Sequence, residues 1–536
     1  MKEFDFIVVG GGPGGCVSAN RLTENKDISV ALIEAGTDRK GLLGDVTSLG
    51  AALLVPHKNK SNYGLQTEND PGLNGRSDFH TLGRGLGGGS AVNTLMYMRG
   101  CAKDYDDWGK ENPGWSWNDV LPYFKKSENN QTFRNDPLHG TDGPMYVDEV
   151  RSRNPFQEIS MRACEEKGIK RNPDLNGPYQ EGVRPAQVFM RDGLRYGVGK
   201  GYIRPIQNQR SNLHLMLNTQ CTRILLEGKR AVGVEVIRNG KREILKARKE
   251  VIVAGGGIMS AKLLQLSGIG DTNWLSEVGI TTQHELPAVG KYLWDHADVV
   301  LAYHLPSPYM IGFSPAGMWA ALKGIGQWLK NRSGFWATNF AEVTGFMSLT
   351  EQSQKPEIQY EFVYALALEH GRKLYLRHGM SVHVLLLQPK SHGTVKLTSQ
   401  NPKDDPKVLF NYYQNDEDMR TMVEGVKRVH SIVMDTEAFK PYIKKDLISS
   451  HCKTDQDWEQ FIRNVTGTNY HPVGSCRMGQ DAATSVVNER LKVHGLEGLR
   501  IVDSSIMPYI VNGNTMAPSI MIGEKGAAMI KEDWGI

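Results

Sequence analysis

Lopsided charge, clustered cysteine and long apolar runs are all missing from this sequence of 536 residues. Basic residues number 63 and acidic ones 59, a balance of +4 with no basic run or stripe, so nucleic acid is not an expected partner. The six cysteines (Cys16, Cys101, Cys164, Cys221, Cys452, Cys476) make no C-x-x-C pair and no disulfide-framework spacing, which points to reduced thiols in a cytosol. No stretch has the ~18 consecutive apolar residues of a transmembrane helix. Met1 to Gly10 passes straight into strand-like text without the apolar region or cleavage site of a signal peptide, and the expected location is cytoplasmic. Internal repeats and low-complexity tracts are absent, which excludes solenoids and propellers. Among 15 histidines and six cysteines there is no H-E-x-x-H and no comparable ligand spacing, so no metal is expected. A G-x-S-x-G elbow between strand and helix is also missing, which removes the commonest α/β-hydrolase reading.

What is present is ordinary globular text, 40% hydrophobic and 23% charged, with one compositional outlier. Glycine contributes 58 residues, about 11% against a usual ~7%, and tight turns or close backbone approach to a ligand are its expected uses. The chain exceeds three times the ~150 residues of a typical domain, so more than one lobe is expected.

The apolar run Phe4 to Val9 ends in Gly10-Gly-Gly-Pro-Gly-Gly15, continues as small and apolar residues at helical spacing from Cys16 to Leu22, and resumes as a strand from Ile28 to Glu34. This is a βαβ unit and implies an α/β domain with a parallel sheet. Gly10-x-Gly12-x-x-Gly15 between strand and helix lets backbone N–H groups and the helix N-terminus approach a pyrophosphate. Glu34, at the end of the second strand, is placed to accept hydrogen bonds from an adenosine ribose, and its charge disfavours a 2′-phosphate. By itself this motif leaves NAD and FAD undecided.

Further on, Thr81 to Gly100 is a second glycine cluster. Strand-like text returns from Asn212, with turns at Glu227-Gly and Asn239-Gly, and Val251 to Ala254 ends in Gly255-Gly-Gly257. Ile358 to Leu368 and Met380 to Leu387 read as strands of a second, sheet-containing domain, and Ala316 to Leu329 reads as a helix. Its stripe of Trp319, Leu322, Ile325, Trp328 and Leu329 is weighed as a membrane- or entrance-facing surface and read as core-facing, so peripheral membrane contact is not expected. Leu499 to Asp503 is one more strand and Ser519 to Ile530 a helix.

The strand–GGGPGG–helix–ALIEAG opening followed by LGRGLGGGSAVNTLMYMRG resembles the glucose–methanol–choline (GMC) oxidoreductases, FAD-dependent alcohol oxidases and dehydrogenases. The resemblance runs in order through Tyr105 to Glu128, SAKLLQLSGIG, LPAVGKYLWDH, NYHPVGSCRMG and NGNTMAPSIMIGEKGAAMI, nearly the whole chain. It implies an α/β (α+β overall) fold: a discontinuous Rossmann-like FAD-binding domain of residues 1–150, 205–295 and 485–536, and a sheet-containing substrate domain of residues 151–204 and 296–484. Leu82 stands where arginine is commoner, and Gly257 and Ala261 stand where alanine and proline are usual.

The same resemblance implies that Gly88, Ser90, Asn93 and Met96 lie along the flavin, that Cys221 meets the adenine, and that Asp503 with Ser504 lies near the flavin end. Cys221 reads equally as a small core hydrophobe. Val92 occupies the position where a few relatives carry a histidine joined to FAD, so noncovalent FAD is expected. His471 matches the family's catalytic histidine, and an imidazole with a pKa near ~6.5 suits proton removal from an alcohol. Asn514 matches the second catalytic position, Asn512 is its competitor, and Met516 replaces a second asparagine common in relatives. The expected activity is oxidation of a primary alcohol to an aldehyde by hydride transfer to flavin N5 with His471 as base, reoxidised by oxygen or by a quinone or other electron carrier. The alternatives on this fold are a non-redox lyase resembling hydroxynitrile lyases, a light-driven fatty-acid decarboxylase and a nonenzymatic flavin-binding protein.

Overall fold

Phe4 to Val9 are all buried in strand β1 (Lys2–Val9), the continuous apolar run expected of a parallel strand covered on both faces. The computed structural model describes residues 2–40, 57–312, 314–368 and 377–536. In it β1 pairs in parallel with β2 (Val30–Ile33) on one side and with the strand Lys241–Val253 on the other. Leu213–Met216 extends this parallel sheet beyond β2, and Leu499–Ile501 extends it beyond residues 251–253. Strands Thr219–Glu227, Arg230–Arg238 and Lys241–Val253 form an antiparallel meander. Its second turn has Asn239 and Gly240 both at positive φ, as a tight two-residue hairpin requires.

Helix α1 (Pro13–Leu22) starts on proline, whose missing N–H costs nothing at that position, and packs against the C-terminal helix Met516–Trp534. That last helix is longer at both ends than the segment read from sequence, because its first residues are buried rather than solvated.

A second sheet is antiparallel, in the order Lys445–Asp446, Ala297–His304, Gly379–Leu386, Ile358–Val363, Ala341–Met347, Gly182–Pro185. Alternation along Ile358–Val363 sends Tyr360 and Phe362 to one face and Gln359, Glu361 and Val363 to the other. The first face packs toward the helix Asp416–Met434, where Gly425 abuts Ile358, and toward Phe439, stacked on Phe362. The other face carries Glu361 and Val363 into a cavity. The mixed α/β architecture agrees with the sequence reading.

One expectation is overturned. The helix Pro315–Asn331 does not turn its large apolar side chains to the core: Met318, Trp319, Leu322, Ile325 and Leu329 are all exposed, and only Trp328 of the stripe is buried. The reason is its small-residue edge. Gly317 lies against His378 and Gly324 against Phe335 and Trp336, so the helix seats closely on its glycines and the bulky residues point outward. Among the described residues no helix is long and apolar enough to cross a membrane. All six cysteines are unpaired.

Candidate functional site

The two sheets meet around one cavity of about 870 Å³, within the ~300–1,000 Å³ typical of small-molecule and cofactor sites. The ends of β1 and β2 and the start of α1 open onto it. Gly10, at φ +111°, has its Cα beside the Ala254 carbonyl, and a Cβ on Gly15 would fall 1.8 Å from the Gly10 oxygen, so these two glycines are demanded by the protein's own packing. Gly12 is different. Its φ is an ordinary −77°, and a Cβ there would meet nothing closer than 3.8 Å. Gly12 therefore keeps open space in the cavity wall, at a helix N-terminus that carries no acidic residue in its first turn.

Glu34 lines the same cavity and is almost fully buried. Its Oε2 accepts from the Gly11 N–H (2.8 Å), and its Oε1 accepts from the Gly36 N–H (2.8 Å) and the Gly85 N–H (3.0 Å). The carboxylate thus ties the glycine turn, the end of β2 and the second glycine cluster together, a bracing role the sequence reading lacked.

Gly88, Ser90, Asn93 and Met96 also line the cavity. The Ser90 hydroxyl is engaged within the protein: it donates to the Gly87 carbonyl (2.7 Å) and accepts from the Val198 N–H (3.1 Å). The Asn93 amide lies 3.4 Å from the Met516 sulfur. Cys221, Asp503 and Ser504 are on the wall as well. Both Asp503 oxygens accept from neighbours, Oδ2 from the Gly256 N–H (2.8 Å) and Ser260 Oγ (2.5 Å), Oδ1 from the Ser505 N–H (2.8 Å) and Oγ (2.6 Å). Of the thirteen residues expected from sequence to form the site, the rival Asn512 aside, Gly15 alone is not on the wall; it sits under it.

His471 and Asn514, 43 positions apart in sequence, lie side by side on the cavity wall, with Asn514 Nδ2 3.3 Å from His471 Nε2. The backbone delivers the ring deliberately. Tyr470 is at φ +63°, a conformation costly for a bulky residue. The turn is held by the Tyr470 N–H donating to Thr468 Oγ1 (2.8 Å) and the His471 N–H donating to Asp295 Oδ1 (2.7 Å). On its far side, His471 Nδ1 lies 3.0 Å from His296 Nδ1. With the Asn514 amide donating to Nε2, the His471 proton resides on Nδ1 and is donated to His296. Burial, then the neighbouring His296 and His80 rings, hold the His471 pKa well below the ordinary histidine value, so the ring is neutral. Burial likewise lowers His296 to about 3.

Asn512, the rival for the second position, is not on the cavity wall. Its Nδ2 donates to the Pro356 carbonyl (2.7 Å), away from His471. The Asn514 Oδ1 instead accepts from Gln359 Nε2 (3.3 Å), which leaves the amide N–H groups aimed toward His471.

Sequence reasoning missed a second group of polar residues on the same wall. Glu361 and His383 are cross-strand partners, and His383 Nδ1 is 2.7 Å from Asp298 Oδ2, which also accepts from Asn469 Nδ2 (3.0 Å). Burial raises the Glu361 carboxyl to about 7, while the Asp298 carboxylate outweighs burial at His383 and raises its pKa. The available signal was polar Gln359 and Glu361 alternating with Ile358, Tyr360 and Phe362 in an otherwise apolar strand. Among the described residues no group of three or more His, Cys, Asp or Glu side chains is arranged to hold a metal ion.

Comparison with known proteins shows the family and the fold. Models of the GMC oxidoreductase N-terminal and C-terminal regions match residues 4–298 and 389–523. The chain is 38% identical over 534 residues to an alcohol dehydrogenase [acceptor] of Pseudomonas putida, covering 98% of this chain and 95% of that one. It is 37% identical over 538 residues to an oxygen-dependent choline dehydrogenase of Chromohalobacter salexigens, covering 99% and 95%. The structure superimposes on a formate oxidase with a TM-score of 0.90 at 25% identity, over 99% of this chain and 98% of the other.

Proposed function

The chain belongs to the GMC oxidoreductase family, and from that premise we propose that it oxidises a primary alcohol to an aldehyde in the cavity lined by His471 and Asn514. It is an enzyme of the alcohol-oxidising class, and its cofactor is FAD. The residues present fit that group: a glycine turn leading into a helix N-terminus, Gly12 withholding a side chain from the wall, and Glu34 at the end of β2 are the parts a dinucleotide needs. When bound, FAD supplies the acceptor, at N5, for the hydride of the carbinol carbon. The division into FAD-binding residues 1–150, 205–295 and 485–536 and substrate-binding residues 151–204 and 296–484 is part of this proposal.

The observation that carries the reading is a neutral, buried His471 Nε2 facing the Asn514 amide. A substrate hydroxyl placed against both from the cavity side loses its proton to Nε2, and the Asn514 N–H stabilises the charge that grows on the oxygen. His296 holds the Nδ1 proton in place, so the ring keeps its basic nitrogen toward the substrate. Gln359 fixes the amide orientation. Apolar Ile311, Phe340 and Val363 on the same wall limit water at the reacting atoms.

The decisive experiment mixes the yellow protein anaerobically, in the dark, with choline, alkanols and aryl alcohols and follows the oxidised-flavin absorbance. Bleaching by one class supports the proposal and names the substrate class; admitting air then separates an oxidase from a dehydrogenase that needs a quinone or other carrier. A protein that stays yellow with every alcohol overturns it in favour of the lyase or light-driven reading.

The two asparagines separate cleanly. Asn514→Ala lowers the bleaching rate by roughly 100- to 1,000-fold, the range for losing one donor to a developing oxyanion. Asn512→Ala leaves that rate within about twofold and instead lowers the melting temperature by a few degrees for the lost hydrogen bond to Pro356. Because Val92 offers no nucleophile on the cavity wall, FAD is held noncovalently, and acid precipitation of the protein leaves the yellow colour in the supernatant.

A further inference from the structure

The helix Pro315–Asn331 is built inside out for a globular protein. At about 100° per residue, Met318, Leu322, Ile325 and Leu329 fall on one narrow stripe with Trp319 on its flank, while Gly317, Gly324 and Trp328 form the edge that seats on the body. The helix is anchored rather than loose: Ser314 caps it through the Gly317 N–H (3.0 Å), and Trp336 Nε1 donates to the Ala321 carbonyl (2.9 Å). Yet Trp319 is 69% exposed, Leu322 60% and Leu329 61%, a contiguous apolar face of the kind that monomeric surfaces rarely leave open.

Charge identifies what covers it. Lys323 and Lys330 project from the Trp319 flank, both exposed and neither in an ion pair among the described residues. From Val299 to Ala341 the chain carries Lys323, Lys330 and Arg332 and no aspartate or glutamate. A second copy of this face would meet it with like charges, whereas an anionic lipid surface takes the apolar stripe and the flanking lysines together, the lysine stems lying along the stripe with their ammonium groups at the headgroups. The place is also apt, since Ile311 and Gly312, just ahead of the capping Ser314, line the cavity.

We propose that the Pro315–Asn331 helix is an interfacial membrane anchor, lying in the headgroup layer of an anionic bilayer beside the cavity. The proposal is independent of which alcohol is oxidised. Its test is sedimentation of the FAD-loaded full chain with phosphatidylcholine vesicles, plain or containing about a third phosphatidylglycerol. The wild type pellets with the anionic vesicles; Trp319→Ser/Leu322→Gln/Leu329→Gln binds them at least about tenfold more weakly, with FAD content and turnover of a water-soluble alcohol unchanged. Lys323→Glu/Lys330→Glu, which leaves the apolar stripe intact, loses the preference for anionic over plain vesicles and is read by the same assay if the triple variant folds poorly. A wild type that stays in the supernatant with both vesicles overturns the proposal, as does a triple variant that pellets like wild type. A wild-type dimer that the triple variant converts to monomer, without vesicle binding, assigns the face to self-association instead.

Discussion

Replacing His471 with alanine leaves a yellow protein whose anaerobic bleaching by its best alcohol is slower by roughly 10²- to 10⁴-fold, the contribution of a positioned general base. The cofactor stays because the glycine turn, α1 and Glu34 are untouched by the substitution. The wild-type pH profile adds a signature a merely structural histidine would lack. A folded pKa held well below the ordinary ~6.5 means the ring is still neutral at a pH where a solvated histidine is half protonated, so the base limb of kcat/KM stays on its plateau through that pH and falls only at more acid values. Near-wild-type bleaching by the alanine variant, with FAD bound, contradicts the assignment. His471→Gln controls for volume, since it fills the space without supplying a base and is expected to be as slow.

Gly12→Val gives a folded, colourless protein. The backbone at Gly12 is in a region open to any L residue, and a Cβ meets no protein atom closer than 3.8 Å, so the fold accepts the side chain. What the valine methyls occupy is the cavity wall at the start of α1, where the helix's free N–H groups would face a pyrophosphate. FAD content is expected to fall below roughly a tenth of wild type, at least ~1.4 kcal/mol of lost binding. The melting temperature falls to that of the wild-type apoprotein, because a ligand stabilises only the state it binds. The contrast is Gly15→Ala, which collides with the Gly10 carbonyl and loses the fold itself. A Gly12→Val protein carrying stoichiometric FAD removes Gly12 from the cofactor site.

Legibility followed the range of the interactions. The β1–α1–β2 unit was readable because its punctuation is local: an apolar run, glycines at fixed offsets, a helical repeat. Glu34 was found for the same reason, but its grip on Gly85, 51 residues away, depends on how a later loop returns to β2. His471 and Asn514 came from resemblance to a family, since nothing in a lone histidine marks a base; the choice of Asn514 over Asn512 needed the geometry, which turns one amide to the cavity and the other to Pro356. Glu361 and His383 escaped because their partnership is a strand register, invisible until Ile358–Val363 and Gly379–Leu386 are paired. For Pro315–Asn331 the period was right and the direction wrong. Periodicity reports that a helix has two sides; Gly317 and Gly324 decide which one faces the body.

The carbonyl of Val502 sits where a Cβ of Gly14 would be, and Asp503 caps the turn before the helix Gly256–Leu266, so the cofactor cavity is closed by a strand that arrives some 490 residues after the glycine turn it covers. On a ribosome adding about 5–20 residues per second, that interval is about 25–100 s. Throughout it α1 lacks the C-terminal helix against which it packs, and through its second half, once residues 251–253 are made, the parallel sheet has an unpaired edge there. Loading with FAD is therefore a late, essentially post-synthetic event, and the nascent enzyme depends for much of its synthesis on whatever shields that edge from other chains.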